Sequence, residues 1–130
     1  MDDPARATMP FCVELGITTQ LATQERVTLT MEWTAERCTI GGAMHGGAIM
    51  SLADSAGAIC AFLNLPDGAA GTSTIQSATN FLAAVRSGTI EATATPLHAG
   101  KSTIVVVTEV RNEGRLVAVT TQTQTVLRPK

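Results

Sequence analysis

The residues able to do chemistry in this chain fall in one short stretch. Between Cys38 and Pro66 the only formally charged residue is Asp54. A carboxylate set among Ala, Ile, Met and Leu loses hydration, at a cost of several kcal/mol unless it is paired or borders a wet cleft. No partner for it stands nearby in the sequence. Such a group is suited to attacking a carbonyl carbon or to taking a proton from water. A plainer role, capping a neighbouring element or bordering solvent, stays open beside it. Upstream, Gly46 and Gly47 follow His45 directly. If a helix starts there, its first N–H groups have no intrahelical acceptor and can point at a ligand oxygen. The alternative is that the two glycines only permit a tight turn and close backbone packing. His45 is better suited to orienting the loop or capping the helix than to acid–base work.

These residues need elements to hold them. Gly47 to Leu63 reads as a helix, stopped by Asn64-Leu65-Pro66-Asp67-Gly68. Apolar residues occupy nearly every face of it, so protein should surround it. Val27, Leu29, Met31 and Trp33 alternate with Thr28, Thr30 and Glu32, the period-two pattern of a half-buried strand over Val27 to Trp33. Further strands rich in Thr, Val and Ile are expected at about 72–82, 89–97, 102–111 and 115–127. Short turns at Arg86-Ser87-Gly88, His98-Ala99-Gly100 and Asn112-Glu113-Gly114 let the last three strands pair as an antiparallel meander. The fold class is therefore α+β, a curved antiparallel sheet around a central apolar helix. Residues 1–24 are weakly patterned and read as a lead-in, with a helical turn near Pro10 to Leu15, and 25–130 form the domain.

The spacing within the helix carries a consequence of its own. Gly46 and Asp54 lie about 12 Å apart and roughly 80° out of phase on an ideal helix, so one reacting carbon cannot meet both. If both act on one substrate, a second copy must bring its Asp54 to the first copy's Gly46, as a two-fold antiparallel pairing of helices would do.

Composition excludes several classes. A formal net charge of -2 over 130 residues and a pI near 5.6 give no cationic field, which argues against a nucleic-acid partner. With 3% aromatic residues and no Tyr, base-stacking platforms are hard to build. Cys12, Cys38 and Cys60 are odd in number and widely spaced, without metal-ligand or disulfide patterning. A cytoplasmic setting and no metal are expected. The acidic opening Met-Asp-Asp-Pro does not read as a signal peptide. A membrane span is disfavoured by Asp54 in mid-run, by the glycines, and by the amphipathic strands that follow.

The order of strand, His-Gly-Gly, apolar helix with an acid and β-meander resembles the hotdog superfamily, and within it the PaaI-like acyl-CoA thioesterases. The likeness is carried by His45-Gly46-Gly47-Ala48-Ile49-Met50-Ser51-Leu52-Ala53-Asp54-Ser55-Ala56, and the architecture spans roughly residues 25–127. The resemblance implies hydrolysis of an acyl-CoA or aryl-acyl-CoA to the free acid and coenzyme A, with no cofactor. It implies that Gly46 donates its N–H to the thioester oxygen and that Asp54 acts as nucleophile or general base. Thr74 falls where a family hydroxyl helps hold the attacking water. His45, Gly47 and Thr39 fall at substrate-binding positions, although Thr39 stands where Asn or Gln is frequent, and Ala84 replaces a Pro often found after the Asn80-Phe81 pair. The family builds its sites across a homodimer, often paired again into a tetramer. Arg86, Lys101, Arg128 and Lys130 are candidates for the coenzyme A phosphates. Two other readings remain: a non-catalytic acyl-CoA binding module, and a hydratase or dehydratase using His45 with Asp54.

Overall fold

The computed structural model describes residues 2–130. The chain runs α1 (Pro4–Thr8), α2 (Pro10–Glu14), β1 (Thr18–Ala22), β2 (Val27–Glu32), two short 3-10 turns (Ala35–Arg37 and Ile40–Gly42), α3 (Gly46–Leu63), β3 (Gly71–Phe81), β4 (Thr89–Ala99), β5 (Thr103–Asn112) and β6 (Arg115–Leu127). The six strands form one antiparallel sheet in the order β1-β2-β4-β5-β6-β3, which leaves β1 and β3 as its edges. The α3 helix packs on one face of the sheet. This is the hotdog arrangement.

Alternation accounts for the strands. On β2, Val27, Leu29 and Met31 are buried, and β4 and β5 supply Ile90, Ala92, Ile104 and Val106 in the same inward phase. On α3, Ile49, Leu52, Ala53, Ala56 and Cys60 meet them, each large apolar side chain contributing about 1.5–3 kcal/mol by leaving water. Asn64 ends the helix: its side-chain amide donates to the Cys60 carbonyl and to the Gln24 carbonyl, tying the C-terminal turn to the loop before β2.

Two expectations need correction. The segment read as a weakly patterned lead-in has the helical turn expected near Pro10 but also supplies α1 and the edge strand β1, and it buries Ala5, Cys12 and Ile17 completely. Its strand pattern is interrupted because the pairing with β2 slips between Thr19 and Leu21, so apolar residues do not alternate cleanly along it. Asp3 anchors the segment. Its carboxylate caps α1 by accepting from the Ala5 and Arg6 N–H groups, and it also accepts from the Thr19 backbone N–H at 2.7 Å and the Thr19 hydroxyl at 2.6 Å. Second, α3 is enclosed on one side only. Met50, Asp54 and Phe62, spaced by whole turns, are exposed, with Phe62 at 58%. The sheet ends at β3 and does not wrap around this face.

Candidate active site

The amino end of α3 is built by His45. As N-cap residue it has extended backbone, and its ring Nδ1 accepts from the Gly47 N–H at 2.8 Å, so any ring proton sits on Nε2. The capping role expected of His45 is the one it performs. Gly47, read as substrate-binding, spends its N–H on His45, and a Cβ there would lie 2.9 Å from the ring. Gly46 keeps its N–H without an acceptor among the described residues. It opens on a cleft of about 420 Å³ lined by Met44, Ile49, Phe81, Leu82 and Val85. A Cβ on Gly46 would lie 3.1 Å from the Phe81 ring, so the absence of a side chain lets the ring close over the helix start.

Asp54 stands two turns along, on the open side of α3. Its Oδ1 accepts from Gln122 Nε2 at 2.6 Å and from the Thr74 hydroxyl at 3.2 Å. Gln122 Nε2 also lies 3.1 Å from Thr74 Oγ1, and Gln124 Nε2 donates to that same oxygen. A hydroxyl has two acceptor positions and one proton. With both positions taken by amide donors, the Thr74 proton is directed at Asp54. The pairing of β3 with β6 slips just after Thr74, between Thr74 and Gln76, a position where bulges commonly re-aim a side chain toward a site. Asp54 has no cationic partner among the described residues.

Gln122 and Gln124 were not among the residues singled out from sequence. Both are buried, at 0% and 1% exposure. The run Thr120-Thr121-Gln122-Thr123-Gln124-Thr125 is polar on both faces, so periodicity gives no inward phase. The available signal was their even spacing from Ala118 and Val126, which bracket the run and are buried.

The remaining candidates are dispersed. Thr39 lies in the loop before α3, held through its N–H to the Ala43 carbonyl at 2.8 Å, and its hydroxyl makes no hydrogen bond among the described residues. Arg86 donates to the Gly41 carbonyl, and Arg128 to the carbonyls of Asp67 and Lys101. Burial pushes the Cys60 thiol up to about 11, and burial also raises that of Cys12, which donates to Ser55 beside Asp54. Neither thiol supplies a thiolate nucleophile at neutral pH. Gly46 and Asp54 lie on one unbroken helix, about 12 Å apart by its rise. One chain therefore holds a free N–H donor and an oriented carboxylate too far apart to meet at one atom.

The family model described as the thioesterase superfamily matches residues 41–119, which include the helix start, Asp54 and Thr74. The chain belongs to the thioesterase superfamily. A Vibrio cholerae protein with an esterase designation is 37% identical over 90 residues, or 68% of this chain, and the match spans 59% of that protein's length. Among solved structures, a thioesterase of Haemophilus influenzae superposes with a TM-score of 0.87 at 27% identity, covering 95% of this chain and 86% of that one. An esterase-designated protein of Mycobacterium tuberculosis gives 0.90 at 22% identity, with 94% and 99% coverage, a likeness of fold.

Proposed function

We propose that this thioesterase-superfamily member is a PaaI-like acyl-CoA thioesterase, cleaving an acyl-CoA or aryl-acyl-CoA to the free acid and coenzyme A. The reading rests on one observation: Asp54 is oriented by Gln122 and Thr74 on the open face of α3, out of reach of the free Gly46 N–H on its own helix. A two-fold copy of the chain supplies the missing half to each site. The edge where that copy would pair is β3, an 11-residue strand exposed along most of its length, on which Ile75 and Phe81 are 61% and 48% exposed. An unpaired edge this long is an aggregation hazard unless something covers it. The homodimer, itself able to pair into a tetramer, covers both β3 and the open face of α3.

In this arrangement the Gly46 N–H polarises the thioester carbonyl as negative charge develops on its oxygen. Asp54 of the facing subunit then acts by one of two routes. As general base it takes a proton from water while the water oxygen bonds to the carbonyl carbon. The carbon–sulfur bond breaks, and the proton passes to the departing sulfur. As nucleophile its own oxygen bonds to the carbon, coenzyme A leaves, and water cleaves the resulting anhydride. Thr74, whose hydroxyl is committed to Asp54, orients the carboxylate and does not hold water directly. No cofactor takes part, and coenzyme A is the leaving group. The free thiols of Cys12, Cys38 and Cys60 suit a reducing, cytoplasmic setting. A His45–Asp54 acid–base pair of the hydratase kind is disfavoured by the engagement of His45 Nδ1 with Gly47.

The test is thiol release from a panel of acyl-CoAs by the wild type and Asp54→Asn. The variant should be slower by about a hundredfold or more, the usual scale for removing an acid–base group. Equal, substantial rates would remove Asp54 from catalysis, and tight acyl-CoA binding without turnover by the wild type would make the chain a binding module.

A further inference from the structure

We propose that Gln122, admitted beneath α3 by the missing side chain of Gly57, is a positioning residue for Asp54; this rests on the reading that Asp54 drives hydrolysis. The Gln122 side chain rises from the inner face of β6 and is fully buried. Its Nε2 has two hydrogens and lies near the acceptors Asp54 Oδ1, at 2.6 Å, and Thr74 Oγ1, at 3.1 Å. Gln124 fills the other acceptor position of Thr74, which sends the Thr74 proton to the same carboxylate oxygen. Oδ1 is thereby fixed by two donors. Oδ2 has no partner among the described residues and is the oxygen left to meet water or the thioester carbon.

Two features make little sense as packing alone. The Gln122 carbonyl oxygen is buried without a hydrogen-bond partner, a costly state for an amide. Gly57 sits inside the helix, where glycine weakens the element, and a Cβ there would fall 1.8 Å from that same oxygen. An apolar residue at 122 and an alanine at 57 would each suit a core better. What the observed pair provides is a rigid amide donor at the carboxylate, held by strand and helix rather than by a loop.

The experiment compares Gln122→Met with the wild type in thiol release and in thermal unfolding, with Asp54→Asn measured alongside. Met matches the length of Gln without its donor. We expect kcat to fall about tenfold or more with KM within roughly twofold, while Tm stays level or rises. The double variant Asp54→Asn/Gln122→Met should be no slower than Asp54→Asn alone, since an oriented group that is absent cannot be lost twice. Gly57→Ala should lower both Tm and kcat by displacing the amide, and Gly57→Ala/Gln122→Ala should recover Tm but not kcat. Wild-type kcat in a folded Gln122→Met, or recovery of kcat together with Tm in the Gly57/Gln122 double variant, overturns the positioning role. If Asp54→Asn is slow and Gln122→Met is not, the positioning role alone fails; if Asp54→Asn is as fast as the wild type, both readings fail.

Discussion

The sheet meets the interior differently in its two halves. On β2, β4 and β5 the inward side chains are mostly apolar and buried, Leu29, Met31, Ile90, Ala92, Ile104 and Val106 among them, with Thr108 on β5 a buried polar exception. On β6, between the buried Ala118 and Val126, the same layer holds Thr120, Gln122 and Gln124, and these side chains, with the exposed Thr74 of β3, are each hydrogen-bonded. The first half gains from removing apolar area from water, which is non-directional and holds α3 against the sheet. The second half gains less from burial and leaves the Gln122 carbonyl oxygen unpaired, but its directional bonds fix one carboxylate. Strength and orientation are thus divided across a single sheet, with the helix shared between them.

The division can be broken from either side. The largest effect should come from the apolar half: Leu29→Ala removes a fully buried side chain and should cost about 2–5 kcal/mol in urea unfolding. The molecules that remain folded should hydrolyse at nearly the wild-type rate. Thr74→Val is the counterpart in the polar half. It removes the hydroxyl bond to Asp54 and should slow thiol release about tenfold, with unfolding free energy changed by roughly 1 kcal/mol or less.

The apolar half extends into the amino-terminal segment, which sharpens the contrast. Burial pushes the Asp3 carboxyl up, but hydrogen bonds from the Thr19 hydroxyl and from the N–H groups of Thr19, Arg6 and Ala5 outweigh it and hold the group below its ordinary value. A carboxyl depressed in the folded state stabilises the fold above its unfolded pKa, and this stabilisation fades as pH falls through the folded value. Asp3→Ala should therefore cost about 1 kcal/mol at neutral pH, with the difference from wild type shrinking in acid, as urea titrations at a series of pH values would show. The smallest effect concerns Cys60, whose raised pKa and full burial predict no reaction with a thiol reagent until the protein unfolds.

The apolar half was the more legible in sequence. Alternation over Val27 to Met31, and the Thr, Val and Ile content of β4 to β6 with the turns between them, locate the strands within a residue or two, and the glycines with Asn64 and Pro66 bound α3. His45 as a cap followed from its place before the helix. Three things were hidden. The strand β1 is broken by its slipped pairing with β2, so no alternation marks it. The open face of α3 carries Met50, Ala58 and Phe62, which read like buried residues because apolar composition does not say what covers a helix. Gln122 and Gln124 sit among threonines on a strand polar on both faces, and their role emerges only when β6 lies beneath Asp54.

The central claim is that one site draws its N–H from Gly46 of one subunit and its carboxylate from Asp54 of the other. Gly46→Pro removes that N–H at the first helical position, where proline is tolerated, and Gly46→Ala controls for the added Cβ near Phe81. Co-expressing Gly46→Pro with Asp54→Asn, each inactive alone, tests the claim directly. Random pairing should restore about a quarter of wild-type thiol release, because half the dimers are mixed and each mixed dimer has one intact site. Mixed dimers, isolated by differential tags, that show no activity above either parent would place both groups in one subunit's site and contradict the account.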